Sequence, residues 1–116
     1  MDKTVFGKSG ESLAINFLLD VGYKIISRNF RCPSGEIDIV ATDKDSLVFI
    51  EVKTRTTKKY GAGVEAVNYY KLSRIRRAGE HFMLKNPSLP RRARIEVVAI
   101  DLSEDKLSIK HIKDVT

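Results

Sequence analysis

The chain has 116 residues, 42% apolar and 31% charged, which fits one globular domain over residues 1–116 with a modest core and excludes a disordered tail. No apolar run approaches the roughly 20 residues that span a bilayer, and "MDKTVFGKSGE" has no apolar segment behind a basic start, so neither a membrane span nor a signal peptide is expected. The formal net charge of +6 makes a polyanion a natural partner through steering and counterion release, although a solvated basic surface explains the charge equally well. A single cysteine, Cys32, rules out an internal disulfide and suits a reducing cytoplasm.

From about Lys8 to Val21, the residues Leu13, Ala14, Phe17, Leu18 and Val21 recur at helical spacing, and Gly22 is a natural stop. "YKIISRNFR" follows as a short strand closed by the turn residues Pro33 to Gly35. "EIDIVA" and "LVFIEVK" are β-branched strands joined through "TDKDS", which completes an antiparallel meander. From Val64 to about Lys85, Val64, Val67, Lys71, Ile75, Ala78 and Phe82 fall on one stripe of a second helix that ends before Pro87. After "PRRAR", the segments "IEVVAI" and "LSIKHI" read as two more strands, giving the order α-β-β-β-α-β-β. A strand that follows a helix enters a sheet by a crossover, so Ile95 to Ile100 is expected parallel to a meander strand. The fold class is therefore α/β, a mixed central sheet with a helix on each face.

In "GEIDIVATDKDSLVFIEVKTR", Gly35 to Arg55, the charges Asp38, Glu51 and Lys53 interrupt otherwise apolar strands. Alternation puts Ile37, Ile39 and Ala41 on one face and Glu36, Asp38 and Val40 on the other. It likewise sets Val48, Ile50 and Val52 against Leu47, Phe49, Glu51 and Lys53. Both faces are apolar near the turn, as in a strand pair covered on both sides, and the charges lie at the far end, where a helix layer can open into a cleft. If paired residue numbers sum to 89, Asp38 faces Glu51 and Glu36 faces Lys53; a shift by one residue sets Asp38 opposite Ile50 and parts the acids.

Two partly buried carboxylates about 5 Å apart repel each other, so a cation must compensate. Mg²⁺ does this with one or two carboxylates while keeping waters for chemistry, and such an ion can polarise a phosphodiester and generate a hydroxide. Lys53, on the face of Glu51, adds a point charge beside a scissile phosphate or an attacking water. The plainer alternative for the same spacing is a cross-strand salt bridge among Glu36, Asp38, Glu51 and Lys53.

The phrase from Gly35 to Arg55, preceded by "GESLAINFLLDVGYKIISRNFR", resembles the YraN-like family of small bacterial proteins, itself similar to Holliday junction resolvases within the PD-(D/E)xK nuclease superfamily. The resemblance is strong from Gly7 to Arg55 and looser over the second helix with Lys71. It implies a restriction-endonuclease-like core, Mg²⁺ or Mn²⁺ as cofactor, DNA (including branched DNA) as substrate, and a homodimer. In that pattern the metal ligands fall on Asp38 and Glu51, with the main-chain carbonyl of Val52 as a third, and the catalytic lysine falls on Lys53. Ile37 stands where the superfamily's name has proline. Glu11 shares a helix face with Ala14, Ile15 and Leu18; it either complements the positive end of the helix dipole or, like the acid in the first helix of junction resolvases, reaches the metal or its water.

Lys71 also interrupts a helix stripe and is expected near the site, with Arg74, Arg76 and Arg77 around the neighbouring turn, partly on a phosphate-facing surface. Arg55, Lys58 and Lys59 in "TRTTKKYGAG" suit contact with a nucleic-acid backbone, which makes Arg55, Lys58, Lys59, Lys71 and Arg74 the candidate nucleic-acid-binding set. Arg91, Arg92 and Arg94 are expected as solvated surface. Tyr60, Tyr69 and Tyr70 fit stacking on bases or packing equally well. His81 and His111 lack metal-ligand spacing and are assigned no chemistry. The leading expectation is a metal-dependent endonuclease acting on DNA. Its rivals are a nucleic-acid-binding module that keeps the fold without turnover, and a protein-interaction domain.

Overall fold

The computed structural model describes residues 3–55, 69–102, 106–113 and 115, with side chains from residue 10 onward. Its elements are α1 (Lys3–Asp20), β1 (Lys24–Cys32), β2 (Gly35–Asp43), β3 (Ser46–Arg55), α2 (Tyr69–Lys85), β4 (Arg92–Asp101) and β5 (Ser108–Ile112). The strands form one sheet in the order β1-β2-β3-β4-β5. β1, β2 and β3 are the antiparallel meander, β4 runs parallel to β3 after the α2 crossover, and β5 returns antiparallel. The expected element order holds, and this mixed α/β arrangement is compatible with a restriction-endonuclease-like core. Among the described residues no helix is long and apolar enough to cross a membrane.

The first helix starts at Lys3, ahead of the expected Lys8, and stops where its periodicity ends. Tyr23 N–H donates to Leu18 O at 2.9 Å and Gly22 N–H to Leu19 O at 3.1 Å, the paired bonds of a Schellman cap. Gly22 makes that cap possible, since its φ of +96° is one that a side chain disfavours. The second helix is described from Tyr69, so Val64 and Val67 of its expected stripe lie outside the described residues. The remainder of the stripe behaves as the spacing predicts, with Ile75, Ala78 and Phe82 buried.

Each helix covers one face of the sheet. Ala14 and Leu18 of α1 pack with Ile39, Ala41, Val48, Ile50, Val98 and Ile100, while Ile75, Ala78 and Phe82 of α2 pack with Ile37, Val40, Leu47, Phe49 and Ile95. Fully burying one such Leu, Ile or Phe side chain is worth roughly 1.5–3 kcal/mol, so the two clusters hold the central strands from both sides. Two glycines let the helices settle closely: a Cβ on Gly10 would collide with the Thr54 side chain of β3, and one on Gly79 would lie 2.5 Å from the Phe49 ring. Gly79→Ala is therefore expected to overpack the α2 layer and destabilise the protein by about 1–3 kcal/mol. Urea unfolding would show this as a lower midpoint with an unchanged slope, and an unchanged midpoint would contradict the packing account.

One expectation about the faces is corrected. Ile37 was placed with Ile39 and Ala41, yet it joins the α2-side cluster while they join the α1-side cluster. Residues two apart on a regular strand share a face, so β2 rolls over between Ile37 and Ile39, at Asp38. The neighbouring strand is irregular at the same level: Asn29, between the Arg28↔Ile39 and Phe30↔Ile37 pairs, has a φ of +54°. Asn tolerates this left-handed conformation better than most residues.

Candidate active site

The β2–β3 hairpin closes through a two-residue turn at Lys44 and Asp45, and its pairs, from Asp43↔Ser46 to Ile39↔Ile50, sum to 89. The ladder stops there, one pair short of Asp38 and Glu51. Beyond it the two strands part, and the Asp38 side chain bridges the gap, with Val52 N–H donating to its Oδ2 at 2.8 Å. A carboxylate thus takes the place of a strand carbonyl. The N–H and C=O of one strand residue point to the same neighbour, so the Val52 carbonyl is aimed into the same gap.

Glu51 is buried on the α2 side, where two lysines converge on its Oε1: Lys71 Nζ at 2.8 Å and Lys53 Nζ at 3.5 Å. The part of the cross-strand alternative that pairs Glu51 with Lys53 is therefore present. The part that needs Asp38 is not, because among the described residues Asp38 makes no ion pair, and Glu36 turns instead to Arg31 at 3.2 Å. Burial pushes the Asp38 carboxyl up from 3.8 to about 7; the charge of Glu51 adds to this, the Val52 N–H opposes it, and Glu11 and Glu36 add smaller pushes. Burial lowers the Lys53 ammonium, and the nearby Lys71 lowers it further. Burial would lower Lys71 too, but its bond to Glu51 holds it above its ordinary value.

The residue types here fit a hard divalent cation. Bonds among the described residues use only Oδ2 of Asp38 and Oε1 of Glu51, which leaves Oδ1 and Oε2 for an ion, with the Val52 carbonyl beside them. No three Asp, Glu, His or Cys side chains among the described residues gather closely enough to hold a metal by themselves. The remaining positions would fall to the main chain and to water, as Mg²⁺ commonly accepts. Glu11 is half-buried on α1, close enough for its charge to act on Asp38, which suits a contact through water better than direct ligation.

A cleft of about 540 Å³ opens beside Glu51 between the β1–β2 turn and the start of α2, lined by Arg31, Pro33, Tyr70, Lys71 and Arg74 among others. Lys71 and the exposed Arg74 therefore both line the cleft beside Glu51. Arg55 does not join them: its Nη2 pairs with Asp101 Oδ2 at 2.9 Å, the residue beside it in the β3–β4 register. Lys58, Lys59 and Tyr60 lie outside the described residues.

A second polar cluster, toward the hairpin-turn end of the sheet, was missed from the sequence. Glu96 of β4 is fully buried, and its carboxylate accepts from Tyr23 Oη at 2.9 Å and Arg94 Nε at 2.7 Å, with His111 Nε2 also 2.7 Å away. Arg94 also donates to Asp43 Oδ2 at 2.8 Å. Arg94 is thus a half-buried clamp rather than solvated surface, and His111 has a structural partner. Burial would lower the Arg94 guanidinium, but the bonds to Glu96 and Asp43 outweigh it and hold it above its already high value. Burial raises the Tyr23 hydroxyl. The available signal was Glu96 itself, an acid amid the apolar "IEVVAI", which requires a buried cationic partner.

The family model described as "Uncharacterised protein family UPF0102" matches residues 10–100, a stretch that includes both polar clusters except His111. The chain is 44% identical over 114 residues to a UPF0102 protein of Paenarthrobacter aurescens, covering 97% of this chain and 94% of the relative. It is 45% identical over 106 residues to one from Geobacter metallireducens (91% and 87% covered) and 38% identical over 116 residues to one from Caldicellulosiruptor saccharolyticus (98% of each). Matches of this length and identity make the chain a member of the UPF0102, or YraN-like, family.

Proposed function

We propose that this protein is a metal-dependent endonuclease that hydrolyses phosphodiester bonds in DNA, branched DNA included, with Mg²⁺ or Mn²⁺ held by Asp38, Glu51 and the Val52 carbonyl. The observation that carries this reading is Asp38, an acid without an ion pair among the described residues, set in the gap between two parted strands beside a second buried acid. Lys53 and Lys71 compensate Glu51, but an ionised Asp38 has no such partner among the described residues, and above about pH 7 a bound cation would supply it.

When bound there, the ion would polarise the phosphodiester and acidify a water. Asp38, fixed by the Val52 N–H, and Glu51, fixed from the α2 side, set the direction in which oxygen ligands are offered. Lys53 Nζ stands 3.5 Å from Glu51, placed to orient the attacking water, and burial together with Lys71 lowers its pKa from the ordinary lysine value, which eases proton exchange with that water. Lys71 and Arg74 neutralise phosphate oxygens along the cleft. Glu11, whose charge acts on Asp38 from α1, would hold a water of such an ion.

Labelled branched, duplex and single-stranded DNA incubated with Mg²⁺, with Mn²⁺ and with chelator tests the reading directly. Cleavage is expected only with the ions, and Lys53→Met is expected to slow it by about 10²-fold or more while leaving DNA affinity close to that of the wild type. Absence of cleavage with either ion, alongside salt-dependent binding, would instead favour a non-catalytic binding module.

A further inference from the structure

We propose that the cleft beside Glu51 receives one unpaired nucleotide, with its base stacked on Tyr70 and its phosphate turned toward Lys71 and Arg74. The proposal rests on the reading above for its choice of DNA as ligand, but not on turnover. Tyr70 lines the cleft yet is 79% exposed, so its ring is not part of the core. Tyr69 meets it edge-on, with centroids 6.1 Å apart at 76°, which steadies the ring and leaves it a face to offer.

The rest of the cleft divides by chemistry. Pro33 and Ile75 supply apolar surface, Lys71 and Arg74 supply cations from the same helix as Tyr70, and Glu51 closes the inner end. Glu36 also lines it, but its carboxylate is engaged by Arg31 at 3.2 Å. Gly35, with a φ of +152°, keeps the wall close: a Cβ there would stand 3.3 Å from Arg74 Cβ. A volume of about 540 Å³ matches one small ligand and excludes a helix of nucleic acid. A paired base in a duplex keeps both faces stacked on its neighbours, so only an unpaired base can present a face to Tyr70.

The test compares a fluorescein-labelled duplex with the same duplex carrying one bulged nucleotide, by anisotropy at fixed salt with Ca²⁺ in place of Mg²⁺. The wild type is expected to bind the bulged form about tenfold more tightly, the usual scale of a single base–aromatic stack. Tyr70→Ala should reduce that preference to near onefold with duplex affinity unchanged, and Tyr70→Phe should keep it. Both variants alter an exposed side chain, and their melting temperatures should match that of the wild type. A wild type without the preference, a Tyr70→Ala protein that retains it, or no binding to either DNA would overturn the proposal. Cleavage without the preference would refute the stacking site and leave the nuclease reading intact; the preference without cleavage by any divalent ion would do the reverse.

Discussion

At pH 8 in chelator, Asp38→Asn is expected to melt higher than the wild type, and the two proteins should converge as the pH falls below about 4. The folded Asp38 carboxyl titrates at about 7 against 3.8 for the free side chain, pushed up by burial and by Glu51. Between these values the folded state holds a proton that the unfolded state has released, so stability falls as pH rises through the window. Above about 7 the full penalty is present. The shift corresponds to at most about 4 kcal/mol, and solvent screening of a half-buried group reduces this to about 2 kcal/mol, or a difference in melting temperature of roughly 5–10 °C. Asparagine removes the charge while its carbonyl can still accept from Val52. Mn²⁺ at about ten times its dissociation constant should stabilise the wild type by about 1.4 kcal/mol and the variant far less. A variant that melts lower than the wild type at pH 8, with neither protein responding to Mn²⁺, would mean that Asp38 is a structural partner and that the metal site is wrong.

The larger loss of stability is expected from the other polar cluster. Glu96→Ala strips the shared, fully buried acceptor from Arg94, Tyr23 and His111 at once. Removing one partner of a buried ion pair typically costs about 3–5 kcal/mol, which for a chain of this size lowers the melting temperature by roughly 10–20 °C. Replacing both charges, as in Glu96→Leu with Arg94→Met, should recover part of the loss, because no buried charge is then left over. A single variant within about 1 kcal/mol of the wild type would show that the cluster is solvated in the native state.

These two sites differ in how legible they were. The acids near Glu51 were visible because they break the alternation of β2 and β3, but the sequence left two registers open, and the two-residue turn at Lys44 and Asp45 is what selects pairs summing to 89. What alternation did not carry was the end of the ladder. It assumes a regular pleat, whereas β2 rolls at Asp38, opposite the left-handed Asn29, so the carboxylate enters the gap between strands instead of standing on a face. The Glu96 cluster draws on the segment after α1, β2, β4 and β5, and its hydrogen-bonded pairs lie up to 73 residues apart in sequence, a separation at which local pattern is silent. Arg55 was misplaced for a related reason: its neighbour Asp101 is set by the parallel register of β3 and β4.

Among the described residues β1 and β5 are the two ends of the sheet, and each would offer unpaired N–H and C=O groups to a passing strand. Neither is a good template. β1 carries a bulge between Ile25 and Ser27, the left-handed Asn29, and exposed Lys24, Arg28 and Arg31; β5 is only five residues long, with Ser108 and Lys110 exposed. Twist, brevity and like charge all work against edge-to-edge pairing. Copies of the chain at high concentration would therefore resist fusing their sheets into aggregates.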